Sequence, residues 1–272
     1  MDKAEPAGHN ELDMDSMTDF ETLFLRRKSV RAWEDRPIPQ VIKERILAAT
    51  LRAPTAGNLM LYSIIEIEDQ PLKEKLAETC DHQSFIAKAP WVLVFLADYR
   101  RLMDYYEAHG AEAWCARHGK PFATPREADL LLLACCDALI AAQTAALAAE
   151  YLHLGSCYIG DVMEQWETHR ELLSLPRYTF PITMLCIGCP TPVQKARPQP
   201  PRLPASMIVM KNRYQRLSEE ALQKMYQGPG WGRFEPDDDV ENPGQALYRR
   251  KFAAEFSIEM RRSVRSMLKD WD

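Results

Sequence analysis

The 272-residue sequence is short of the features that would place it outside the ordinary globular class. Basic charge is not in excess. There are 34 Lys and Arg against 39 Asp and Glu, a net charge of −5, which argues against a nucleic-acid partner. Residues 1–19 have no apolar core behind a basic start and do not read as a secretory signal. The most apolar stretch, residues 130–154, is interrupted by Asp137, Gln143 and Glu150 and reads as too polar for a membrane span. Seven cysteines, an odd and scattered count, argue against a secreted disulfide framework, so the expected location is cytoplasmic. No Walker motif, Gly-x-Ser-x-Gly elbow or internal repeat occurs, and the Gly-rich stretch 228–232 neither follows a strand nor opens a helix. Cys186-Ile-Gly-Cys189 lacks a second CxxC, and Cys186 lies in a buried strand pattern. Cys115, His118 and His109 make a weak ligand set, so no metal site is expected.

What is present begins with Arg26-Arg27-Lys28-Ser29-Val30-Arg31, followed by Trp33. Four cations and a hydroxyl in six residues can converge on one anion, and guanidinium forks suit phosphate oxygens. Helical spacing is expected over residues 17–27 and 41–52, the latter stopped by Ala53-Pro54. A tight polar turn, residues 54–58, precedes a strand over 62–67 and a short helix to Cys80. Residues 91–97 and 180–187 are apolar runs expected as strands buried on both faces. Residues 103–126 read as an irregular lid or insertion. A long helix over 125–154 is apolar on nearly all faces, so it belongs in a core or subunit interface. Residues 155–160 read as a turn leading into a helix, and glycine there would admit close approach of a flat ligand. Five prolines between 190 and 202 imply an extended crossing that ends at Arg202. A polar helix (218–226), a Gly/Pro-rich loop (228–244) and one basic helix (248–269) complete the chain.

In order and spacing these pieces resemble the nitroreductase family of FMN enzymes. Within it, the chain is similar to the oxygen-insensitive nitroreductase A and NADPH–flavin oxidoreductase group. The residues that carry the likeness are the basic Ser-x-Arg stretch, Ala53-Pro-Thr-Ala-Gly-Asn58, Ser63-Ile-Ile65, Gln83 before the Trp91 strand, Tyr158-Ile-Gly160, and Pro201-Arg-Leu-Pro-Ala-Ser-Met-Ile-Val209. The resemblance implies an α+β fold: a mostly antiparallel central sheet flanked by helices, in an intertwined homodimer with FMN at the interface. It implies an acidic tail (1–16), an FMN-binding domain (17–215) and a C-terminal extension (216–272) packing on that domain or on the partner.

By resemblance, Arg27, Lys28, Ser29 and Arg202 match phosphate-binding positions, and Arg31 the cation against the flavin pyrimidine. Ala56 and Asn58 match positions lining the cofactor, and Gln83 a polar contact to its ring. Tyr158, Ile159 and Gly160 match backbone contacts near the reactive edge. On the substrate side, Arg261 lies in a stretch that weakly resembles an active-site arginine position, and Leu59 departs from the pattern by standing where an aromatic often lies over the flavin, which widens the substrate slot. The chain departs from the pattern at Pro200, where a lysine is common and for which Lys195 or Arg197 can substitute. It departs again at Asp161, where a small residue is usual.

The implied function is FMN-dependent NAD(P)H oxidoreduction by ping-pong hydride transfer, with NADPH or NADH as donor and nitroaromatics, quinones or flavins as acceptors. No catalytic side chain, nucleic acid or membrane partner is required. The rivals are an FMN dehalogenase, a dedicated flavin reductase and a non-enzymatic flavin sensor or scaffold. Arg233 stands among carboxylates in the segment 227–239, which predicts weak preference for NADPH.

Overall fold

Four strands form the centre of the computed structural model, which describes residues 20–123, 128–227, 231, 234–237 and 239–271. They are β1 (Tyr62–Ile67), β2 (Trp91–Asp98), β3 (Gly155–Ile159) and β4 (Thr179–Gly188), in the order β1-β2-β4-β3. All neighbours are antiparallel. β2 and β4 are central, and every residue in them is buried, as continuous apolar runs require. Pro181 sits in β4 where the register slips between Phe95 and Leu96, a place that tolerates a missing ladder donor.

Helices cover the sheet. α1 (Gln40–Thr50) starts after Pro39, and α2 (Gln70–Thr79) is capped by Asp69, whose carboxylate accepts the Leu72 amide at 2.8 Å. Between β2 and the long helix lie α3 (Arg100–Ala108) and α4 (Ala111–Arg117). These correct the expectation of irregular structure over 103–126. Of the residues in the two helices only Met103 is buried, but Leu102, Met103 and Tyr106 fall at helical spacing on the core side, a periodic signal present in the sequence. His109 and His118 donate Nδ1–H to the carbonyls of Tyr105 and Trp114, at 2.8 and 2.7 Å, which satisfies their own helix ends.

α5 (Ala128–Tyr151) packs on β2, β4 and α1. Ala134, Ala138, Ala141, Ala142, Ala145, Ala146 and Ala149 are fully buried, while Leu132, Leu133, Leu139 and Ile140 are exposed. The reading of residues 130–154 as too polar to span a membrane is corrected: residues 130–151 are long and apolar enough by length and composition. Small residues along the inner face let the helix lie close on the sheet.

After β3 come α6 (Trp166–Leu172), then β4, and α7 (Pro192–Ala196) within the proline crossing. Residues 155–160 are therefore mostly strand, not the expected turn. Cys157 and Ile159 are buried by pairing with β4, and that tertiary pairing outweighs the glycines at either end. The C-terminal stretch holds α8 (Glu219–Lys224), α9 (Pro243–Lys251) and α10 (Glu255–Trp271). The single basic helix expected over 248–269 is thus two, broken after Phe252. α10 returns to its own chain: Trp271 is buried beside Phe180 at 4.9 Å, and Asp270 accepts Trp166 Nε1–H at 2.6 Å.

Candidate functional site

The basic stretch is pinned to the start of β3. The Val30 amide donates to the Ser156 carbonyl at 2.9 Å, and the Glu34 amide to the Cys189 carbonyl at 2.8 Å. Only glycine fits at 155, because a Cβ there would stand 2.5 Å from Val30 Cγ2. The proline crossing closes on the same stretch from outside. Lys28 Nζ donates to the carbonyls of Lys195, at 2.7 Å, and Arg197. Arg197 in turn donates to the Ser29 carbonyl, and Gln199 to those of Leu25 and Arg27 at 2.6 and 3.0 Å.

This interlocking leaves donors over. Arg27 Nη1, Arg197 Nε and Ser156 Oγ are buried without a partner. Each such group costs about 1–3 kcal/mol while unsatisfied, a deficit that an anion with several oxygens would remove. Burial raises the Cys157 thiol, while Arg31, Ser29, Arg27 and Arg197 pull it back, so all four reach the same strand. The Glu150 carboxyl, near the end of α5, is pushed up to about 7 by burial and lowered by Arg27 and Lys28. A phosphate fits this donor set, as FMN binding requires.

The other end of β3 is open. A Cβ on Gly160 would meet nothing within 4 Å. Gln83 Nε2 donates to Asp161 Oδ2 at 2.7 Å and to the Cys80 carbonyl at 2.9 Å. The Arg31 guanidinium lies over Phe85, 5.9 Å from the ring centroid. Tyr158 donates to Gln143 Oε1 at 3.1 Å, and burial raises its phenol. Ile159 is buried. Glu164, also buried, faces Asp161; its carboxyl is pushed up to about 8 by burial and then by the charges of Asp161, Asp81 and Glu259.

Arg27, Lys28, Ser29, Arg31, Gln83, Tyr158, Ile159 and Gly160 thus share the β3 edge. Arg202 is exposed and donates to its own neighbours, the carbonyls of Pro200 and Pro201, at 3.4 and 3.1 Å. Arg261 donates to the Phe252 carbonyl at 3.0 Å, and Arg233 lies outside the described residues.

Ala56, Asn58 and Leu59 lie elsewhere, just before β1 at the far edge of the sheet. The register sets Tyr62 opposite Ala97, whereas Ser156 pairs with Ile187, which pairs with Trp91. Three strand spacings across and six residues along separate the turn from the cations by about 24 Å. Along α5, Asp137 holds Ala56 and Glu150 faces Arg27; thirteen residues of helix give about 20 Å, in agreement.

The sequence does not single out Asp137, nor Arg101, which donates to the carbonyls of Met60 and Tyr62. In the sequence Asp137 shows only as an interruption of an apolar helix, and that is the signal that marks it. Cys186 is fully buried in β4, and Cys189 Sγ accepts from Arg36 at 2.6 Å; both are free thiols.

The geometry agrees with comparison to known proteins. An oxygen-insensitive NADPH nitroreductase of Salmonella typhimurium is 34% identical over 200 residues, 74% of this chain and 76% of that protein. A Cr(VI) reductase of Pseudomonas sp. is 29% identical, over 75% of this chain and 79% of its own length. Among solved structures, the NADPH:FMN oxidoreductase of Vibrio harveyi complexed with NAD+ superposes with a TM-score of 0.71 at 26% identity, covering 92% of this chain and 97% of the other. The sequence profile described as the Nitroreductase family matches residues 25–189, which take in the cation cluster, the polar turn and the whole sheet. On these grounds the chain belongs to the nitroreductase family.

Proposed function

We propose that the protein is an FMN-dependent NAD(P)H oxidoreductase, a homodimer that reduces small acceptors such as nitroaromatics, quinones or free flavins. Bound FMN supplies the redox chemistry, taking two electrons from reduced nicotinamide and passing them to the acceptor. Arg27, Lys28, Ser29 and Arg197 hold the phosphate, and their interlocked backbone keeps the donors in place before binding. Arg31 supplies positive charge where the reduced ring is anionic. Gly160 keeps the approach to the reactive edge free of side-chain atoms.

The observation that carries this reading is the pair of buried guanidinium donors without partners at Arg27 and Arg197, both beside Cys157. Two observations support the dimer. Asn58 and Arg27 of one chain are too far apart to hold one flavin, so a site using both takes them from different subunits. The exposed Leu132, Leu133, Leu139 and Ile140 give α5 an apolar outer face for a second copy.

The absorbance spectrum of the purified protein, followed by anaerobic titration with NADPH, tests the proposal. A flavin spectrum bleached by NADPH and restored by a nitroaromatic is expected; a colourless protein that takes up no FMN would reject it.

A further inference from the structure

The turn before β1 is strained and yet fixed. Gly57, Asn58 and Met60 have φ of +56°, +59° and +54°, the left-handed region, and two of the three are not glycine. Asn58 tolerates this region, but Met60 there costs roughly 1–2 kcal/mol, so something must impose the conformation. The tip, Gly57 to Leu59, is exposed, and the hold comes from beneath.

Asp137 supplies half of that hold. Its side chain is buried within α5, and its two oxygens accept the amides of Ala56, at 2.9 Å, and Leu61, at 3.0 Å. Those amides bracket the turn. Arg101 supplies the other half from α3, donating to the carbonyls of Met60 and Tyr62, the latter at 3.0 Å, and to Ser63 Oγ at 3.4 Å. Thr55 Oγ1 completes the hold by accepting the Met60 amide at 3.2 Å.

A buried carboxylate costs several kcal/mol, and apolar residues of similar volume usually serve stability as well or better. A charged clamp under an exposed, strained tip is the arrangement of a preorganised binding element. The tip cannot join the cation cluster of its own chain in one cofactor site, because the two are about 24 Å apart.

We propose that Asp137 and Arg101 are positioning residues. They hold the Ala56–Leu59 turn in the shape that completes the cofactor site of the partner subunit. This rests on the proposed function, which already takes the turn from the second subunit, and adds which residues hold it in shape. Replacing Asp137 by Asn presents an amide donor to one of two amide N–H groups, which loosens one end of the turn and leaves its bulk unchanged.

The test is a complementation of subunits, read by FMN titration with fluorescence quenching. Asp137→Asn and Arg27→Ala homodimers are expected to bind FMN about tenfold or more weakly than wild type. The mixed dimer, purified through two different tags, is expected to regain one site of wild-type affinity. That site joins the intact cations of the Asp137→Asn chain to the intact turn of the Arg27→Ala chain; the second site carries both lesions. Damage confined to the fold of the mutated chain would not be rescued in this way. A mixed dimer with no tight site would overturn the proposal, as would an Asp137→Asn homodimer of wild-type affinity. Should Asp137→Asn fail to fold, Arg101→Met replaces it in the same design with the same outcomes. If wild type takes up no FMN, the proposed function itself falls. With wild type loaded, a mixed dimer that lacks a tight site overturns this proposal and leaves the FMN reading standing.

Discussion

At the scale of single residues, two arginines compete for the same role. Arg197 bonds the Ser29 carbonyl and keeps Nε buried and unused, whereas Arg202 is exposed on its own proline run. A charge-assisted hydrogen bond is worth about 1.5–3 kcal/mol, roughly tenfold to a hundredfold in affinity. Arg197→Ala is therefore expected to weaken FMN binding by that much and Arg202→Ala by less; the reverse order in titration would return the phosphate to Arg202. Glu164 gives a pH signature. Its carboxyl is raised to about 8, first by burial and then by Asp161, so in the folded chain it stays neutral over a range where the unfolded chain ionises. Its contribution to stability is full below the ordinary carboxylate range and is lost as pH rises to about 8. Relative to wild type, Glu164→Gln should gain melting temperature between about pH 5 and pH 8.5. A difference that does not change with pH would mean that the carboxyl ionises freely in the fold.

At the scale of elements, α5 has two faces with opposite demands. The inner face is alanine packed on the sheet, so Ala142→Leu should overpack it and lower stability by about 1–3 kcal/mol in urea denaturation. On the outer face Leu139 is 46% exposed, and Leu139→Lys should leave a folded chain that sediments as a monomer and loses FMN. A Leu139→Lys protein that remains dimeric would place the interface elsewhere. β3 makes a similar demand at its first residue. Gly155→Ala puts a methyl group 2.5 Å from Val30 and should shift the whole cation stretch, with loss of flavin affinity as the readout.

At the scale of the molecule, the choice of coenzyme depends on charges brought together by the C-terminal extension. Asp237 and Asp239, expected to oppose a 2′-phosphate, are both paired with Arg249, at 2.9 and 3.4 Å. Beside them Arg250 and Lys251 line a cleft of about 1140 Å³ with Trp231 and Phe234. The acidic charge is thereby partly offset but no dedicated clamp results, so a preference for NADPH of about tenfold or less, equivalent to about 1.4 kcal/mol, is expected. The ratio of kcat/KM for NADPH and NADH, in wild type, Arg250→Ala and Arg261→Ala, checks it. A preference of several hundredfold, lost in either variant, would identify a clamp there.

The sequence by itself determined the elements whose pattern is local: the two buried central strands, α1 with its stop before Pro54, and the long helix. It also yielded the family, because Arg27 to Arg31, Ala53 to Asn58 and Tyr158 to Gly160 keep their order along the chain. Tertiary structure decided what depends on pairing. Residues 155–159 are a strand only because β4 lies beside them. By sequence Arg197 is one candidate substitute, but only the folding of the proline crossing onto Ser29 favours it over Arg202. Asp137 carries no local signal beyond its polarity, since the amides it holds are 76 and 81 residues away in sequence. The separation of the polar turn from the cation cluster was hidden for the same reason. Sequence order places them about two dozen residues apart, whereas strand order sets them at opposite edges and ends of the sheet.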